Sequence, residues 1–126
     1  MDFKKYTDEY VTTIGIDYGV KTVKFDTEEV KINFWDIGGD PIYFDVRNEF
    51  YKDTQGALLV YDVTNRLTFQ NLDTWINEMK VHSTSGDIVV FLVANKIDLV
   101  TSNNPGISRQ VTVNEGKEYA QKIGAK

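Results

Sequence analysis

Two hydrophobic periods alternate along the chain, and the changes from one to the other mark its elements. From Ile16 to Phe25 β-branched and aromatic residues are frequent, and Asp26 to Glu29 is polar. Val30, Ile32 and Phe34 then alternate with Lys31, Asn33 and Trp35 as far as Ile37, which predicts a hairpin with a short polar connection. Gly38-Gly39-Asp40-Pro41 breaks the second strand, and Ile42, Val46 and Phe50 recur at helical spacing, so a mobile loop and a short helix to Lys52 are expected. Gly56 to Asp62 predicts a buried strand, and Phe69, Leu72, Trp75, Ile76 and Met79 mark one face of a helix from Arg66 to about Val81. The run Ile88 to Ala94 is apolar throughout and predicts a strand covered on both faces, as in parallel sheets flanked by helices. Thr112-x-x-Glu115 forms a capping box for a helix from Val113 to about Ile123, and Gly124 is its expected stop. Residues 1 to 6 read as the last turn of a helix, Thr7 to Gly15 as a loop, and Asn103-Asn104-Pro105-Gly106 as part of another.

Two antiparallel strands followed by strand, helix, strand, helix describe an α/β fold. The expected form is a three-layer sheet with flanking helices and right-handed crossovers, in one domain over residues 1–126. At 126 residues, 41% apolar and 13% aromatic, the chain suffices for one core and not for two. A net charge of −5 and a pI near 4.8 give no basic field for nucleic acid or an anionic membrane, so neither is an expected partner. The absence of cysteine removes disulfides, thiolate zinc sites and a lipidated C-terminal Cys from these residues, and a cytoplasmic location is the expectation.

The candidate chemistry starts where the long apolar run ends, at Asn95-Lys96-Ile97-Asp98. In open α/β sheets ligands bind beyond the carboxyl ends of strands. A carboxylate at Asp98 can accept two hydrogen bonds from a planar donor edge such as guanine N1–H and its 2-amino group, with the Lys96 stem packed on the ring. The bland alternative is an Asx-turn with solvated charges. A second motif, Trp35-Asp36-Ile37-Gly38-Gly39, ends the earlier strand. Asp36 there can hold the hydration shell of Mg²⁺, and Gly39 lets its amide approach a terminal phosphate. Thr13 offers a hydroxyl for the same metal.

In this order and spacing the motifs resemble the Ras superfamily of small GTPases, the Rab branch in particular, over nearly the whole chain. The supporting stretches are Tyr10 to Tyr18, Phe34-Trp35-Asp36, Gly56 to Asn65, Asn95 to Asp98 and Glu115 to Ala120. Residues 13–19 and 46–56 look most like the Rab-like proteins that elsewhere carry a J domain. The resemblance implies a P-loop-NTPase-like (Ras-like) sheet, GTP or GDP with Mg²⁺ as cofactors, and effector or chaperone-type proteins bound through the switch regions. It implies that Thr13 senses the γ-phosphate through Mg²⁺, that Asp36 and Gly39 form the switch II pair, and that Asn95, Lys96 and Asp98 read guanine. Tyr18, Trp35 and Phe50 fall where Rab proteins place an effector-binding aromatic triad. Packing between hairpin and helix is the plainer account of those three.

The chain departs from the family in two ways. Asp40, followed by Pro41, stands where the family usually has the Gln that orients the attacking water. Its charge would sit beside an anionic phosphate, and Pro41 keeps its backbone out of the helical region, so slow or negligible hydrolysis is expected. The sequence also contains no Gly-x-x-x-x-Gly-Lys-Ser/Thr, the loop that supplies much of the phosphate binding. Relative to the family the first and last strands are expected to be missing, leaving open edges on the strands that would flank the first. Two functions follow. One is a Rab-like GTP-binding switch, of the kind that serves vesicle transport, with weak or absent hydrolysis. The other is a pseudo-GTPase interaction module that binds no nucleotide. A receiver-like phosphoacceptor built on Asp36 or Asp62 lacks the early acidic pair such a site needs. His82, Arg66, Arg109 and the hairpin lysines Lys21, Lys24 and Lys31 read as surface residues.

Overall fold

A computed structural model describes residues 11–84, 86–101 and 106–126. The helical turn expected over residues 1–6, the first part of the loop from Thr7, and Asn103 to Pro105 lie outside them. The chain divides into two compact units, Met1–Phe50 and Tyr51–Lys126.

The first unit is built on a hairpin of β1 (Ile16–Phe25) and β2 (Glu28–Ile37), followed by a 3-10 turn (Pro41–Tyr43) and α1 (Phe44–Tyr51), which runs one residue past the unit's end. Phe25 pairs with Glu28 across a two-residue turn, so β2 starts two residues earlier than its apolar pattern suggests. Asp26 takes a positive φ of 52° in that turn, which a short polar side chain tolerates. The extra register sets Lys24 opposite Glu29, a favourable pair. The apolar alternation of β2 covers little: Val30, Ile32 and the paired Val23 stay exposed, because none of the described residues of the hairpin's unit buries them.

In the second unit β3 (Gly56–Asp62) and β4 (Val89–Asn95) pair in parallel, Gly56 beside Val89 and Asp62 beside Asn95. The connection is helical, as a parallel crossover requires. The helix predicted over 66–81 is two segments, α2 (Arg66–Gln70) and α3 (Leu72–His82). At the junction the Thr74 amide donates to the Asn71 carbonyl at 3.1 Å, a tightened turn in place of a regular one. Leu72, Ile76 and Met79 from α3 meet Leu59, Tyr61 and Val90 of the sheet, with Val63, Val111 and Tyr119 completing the core. Phe69 stands edge-on between the Tyr61 and Tyr119 rings.

Coverage of both sheet faces is not observed. Leu58 and Phe91 are register partners on the face away from this core, and with Val60 and Val89 they are exposed. Among the described residues the helices packed on this pair lie against its other face, and in place of the expected three-layer sheet there are two separate two-stranded sheets. The edge of β4 away from β3 is not bare: the Lys126 amide donates to the Val90 carbonyl, and the Leu92 amide to the Lys126 carbonyl, both at 2.9 Å. No helix among the described residues is long and apolar enough to cross a membrane.

α5 (Val113–Ile123) follows its sequence signals closely. Thr112 Oγ1 accepts from the Glu115 amide, Glu115 Oε2 accepts from the Thr112 amide, and Gly124 ends the helix at φ 71°. Arg66 and Arg109, expected as plain surface residues, both have partners. Arg66 meets Glu115 at 2.6 Å and donates to the Gln110 carbonyl, and the partly buried Arg109 donates to the Val111 carbonyl. Through the Arg66 and Thr112 contacts the Glu115 carboxyl is held down at about 2.

Gly116 sets how closely α5 approaches β3. A Cβ there would stand 2.6 Å from the Tyr61 hydroxyl oxygen, while the next ring atom is 3.7 Å away. Tyr61 is 3% exposed, so its ring has little room to retreat. Gly116→Ala is therefore expected to lower stability by about 1–2 kcal/mol, overpacking outweighing the better helix propensity of alanine. Adding Tyr61→Phe should recover most of that loss, since it deletes the clashing oxygen. Urea midpoints of the single and double variants check this, and a Gly116→Ala protein as stable as wild type would refute it.

Candidate functional site

The candidate residues fall into two groups, one in each unit. In the second unit the parallel strands end side by side at Asp62 and Asn95, and the Val63 amide continues the ladder by donating to the Asn95 carbonyl at 3.1 Å. The chain turns at Lys96, which takes φ 62°, an uncommon conformation for a residue with a long side chain. Asp98 opens α4 (Asp98–Thr101), a short helix absent from the sequence expectations. The Leu99 amide closes it onto the Lys96 carbonyl, and the Thr101 hydroxyl donates to the carbonyls of Ile97 and Asp98.

Asp62 anchors this turn. One carboxylate oxygen accepts from the Thr64 amide at 2.8 Å and the Thr64 hydroxyl at 2.6 Å, and the other meets Lys96 Nζ at 2.9 Å. Burial pushes the Asp62 carboxyl up, but the Thr64 and Lys96 contacts outweigh it and leave the group below its ordinary value. The Lys96 stem therefore spans from the loop to the end of β3, while Asn95, Lys96 and Asp98 stay exposed and open to a ligand. A hollow of about 250 Å³ in this unit lies elsewhere, among Ile76, Met79, Ile88 and Val90 at the amino end of β4. Ligand chemistry in such folds sits at the carboxyl end, so the hollow is not taken as the site.

In the first unit the Thr13 hydroxyl donates to Asp36 Oδ2 at 3.1 Å, bringing together the two oxygen groups expected at a metal. They suit a hard cation that keeps most of its water. Among the described residues no group of three or more Asp, Glu, His or Cys side chains is placed to hold a metal ion. Gly38 is pressed against this loop: its amide donates to the Gly15 carbonyl at 2.7 Å, and a Cβ would meet the Gly15 and Thr13 carbonyl oxygens at 2.7 and 2.8 Å. Gly38 thus has a steric need for glycine that sequence reasoning did not single out. Asp40 has φ −64° and ψ 133°, outside the helical region, and its carboxylate accepts from the Ile42 amide at 3.0 Å. It caps the 3-10 turn. Tyr18 and Trp35 face each other across the hairpin with ring centres 4.4 Å apart, and Trp35 meets Phe50 at 4.8 Å.

A conserved-domain description of the Ras family matches residues 2–126. The chain belongs to the Ras family. It is 45% identical over 125 residues to the DnaJ homolog subfamily C member 27 of Bos taurus, covering 96% of this chain and 44% of that protein. The proteins of the same name from Mus musculus and Homo sapiens are 43% and 42% identical over the same shares. The chain spans under half the length of these relatives. Their name agrees with the kinship to J-domain Rab-like proteins expected from residues 13–19 and 46–56. Members of the Ras family generally bind guanine nucleotide with Mg²⁺.

Sequence reasoning missed Asp62 as the partner of Lys96, although Asp62-Val63-Thr64 at a strand end is a readable Asx-turn signal. Because the Asp62 carboxyl is depressed, its stabilising contribution is present above the unfolded-state value near 3.8 and is lost as pH falls through the lower folded value. Asp62→Asn should therefore destabilise the protein at pH 7, and the gap to wild type should close below pH 3.8. Urea unfolding at several pH values measures it; a gap independent of pH would remove the carboxylate from the account.

Proposed function

We infer that the chain is the Rab-like GTP-binding part of a molecular switch, with weak or absent hydrolysis. The observation that supports this best is the loop at the end of β4, where an exposed Asp98 carboxylate follows a lysine whose ammonium is held by Asp62. Asp98 accepts guanine N1–H and the 2-amino group, and the Lys96 stem packs against the purine. Asn95 belongs to the same reader. Thr13 and Asp36 hold a hydrated Mg²⁺, and Gly39 approaches the terminal phosphate. Asp40 is a poor substitute for a water-orienting amide, since its carboxylate is engaged with the Ile42 amide and would add charge beside the phosphate.

The second reading is a pseudo-GTPase module that binds protein partners, effector or chaperone-type, without nucleotide. The half-exposed stack of Tyr18, Trp35 and Phe50 favours it, because rigid aromatics supply contact area at low entropic cost. Titrating fluorescent GDP and ADP against the protein with Mg²⁺ separates the two. The switch reading expects saturable GDP binding well above that of ADP. Asp98→Ala should weaken GDP by about 10²- to 10⁴-fold, from two charge-assisted hydrogen bonds at about 1.5–3 kcal/mol each. Equal affinity for GDP and ADP, or no saturable binding, would end the switch reading and leave the module.

A further inference from the structure

Arg47 lies on α1 and is 4% exposed, rare burial for a guanidinium. Its Nη1 donates to the Asp40 carbonyl at 2.9 Å and to the Gly38 carbonyl at 3.2 Å, and the guanidinium carbon stands 5.6 Å from the centre of the Phe44 ring. One side chain from the helix thus holds both ends of the Gly38–Asp40 turn. That turn is held on its other side by the Gly38 amide bond to the Gly15 carbonyl, and Asp40 caps the start of the next turn through the Ile42 amide. For the turn to move, a buried guanidinium would have to give up two carbonyl acceptors in a place with little access to water, which is costly for a charged donor.

We propose that Arg47 is a positioning residue that pins the Gly38–Asp40 turn to α1, so that one arrangement of Thr13 to Gly15, Gly38 to Asp40 and α1 is set by the chain itself without a ligand. In a switch of the kind inferred above, this segment is the part that would respond to the terminal phosphate, and Arg47 opposes that response. The restraint is a property of the unliganded protein, so its test uses no nucleotide and stands whether or not guanine binding is found.

Amide hydrogen exchange of the full chain tests it, read at residues 38–43 against 56–62 and 89–95 as internal controls. Arg47→Met keeps the apolar stem and removes the Nη1 donor of both bonds. Exchange at 38–43 is expected to rise at least tenfold with the two strands changed less than twofold. Arg47→Lys, which keeps a charge but offers one compact donor centre, should give a smaller, still local rise of at least threefold. If Arg47→Met does not fold, Arg47→Lys alone carries the test. Exchange at 38–43 within twofold of wild type, or an equal rise across both control strands, would overturn the proposal: the first removes the restraint, and the second reduces Arg47 to general stability.

Discussion

The parallel pairing of β3 and β4 is the constraint on which the second unit depends. Because the two strands end in register at Asp62 and Asn95, two polar side chains from distant parts of the sequence emerge side by side. The Asp62 carboxylate then meets the ammonium of the residue after Asn95, and a turn that places a lysine at positive φ becomes tenable. Everything below those strand ends serves to hold them there. Leu72, Ile76 and Met79 press on one face, and α5 approaches so closely at Gly116 that a Cβ there would clash with the Tyr61 hydroxyl. A shift of either strand by one residue would exchange its buried and exposed faces and separate Asp62 from Lys96 together.

In the first unit the organising contact is different in kind. A two-stranded hairpin exposed on much of both faces buries too little to fix a loop by packing alone. Its loops are instead tied by polar bonds to backbone: Gly15 to Gly38, Asp40 to Ile42, and Arg47 to Gly38 and Asp40. Such bonds specify geometry strongly because each has one partner, and they tolerate substitution poorly for the same reason.

The parts of this structure legible in the sequence are those governed by local chemistry. The capping box at Thr112 and Glu115, the stop at Gly124, the limits of β3 and the break after Ile37 follow from neighbouring residues, and each is found where expected. The candidate motifs at 36–39 and 95–98 are likewise short runs where strands end. What depended on distant partners was not. Nothing near Arg47 signals burial, since its acceptors are carbonyls whose position is set by Gly15 and by the turn itself. The division of the helix at Asn71 was also hidden, because the apolar face from Phe69 to Met79 continues across it and periodicity registers the face alone. The exposed side of the β3–β4 pair was misread because an unbroken apolar run reports that a strand can be covered twice, not what covers it.

The two groups of site residues also differ in how they are prepared for a ligand. The loop at Asn95 to Asp98 is braced from behind, by Asp62, the Val63 ladder bond and the short helix that Asp98 opens, while its polar groups stay exposed. That is the economy expected of a reader, in which geometry is fixed before binding and little order is lost on contact. Thr13 and Asp36 are instead satisfied by one another, and Asp40 by the Ile42 amide. A metal or phosphate arriving there must compete with hydrogen bonds already made. The Asn95–Asp98 loop is therefore preorganised, whereas Thr13, Asp36 and Asp40 are self-satisfied, and for the proposed switch the second condition matters because a segment content without a ligand has less reason to move when one arrives.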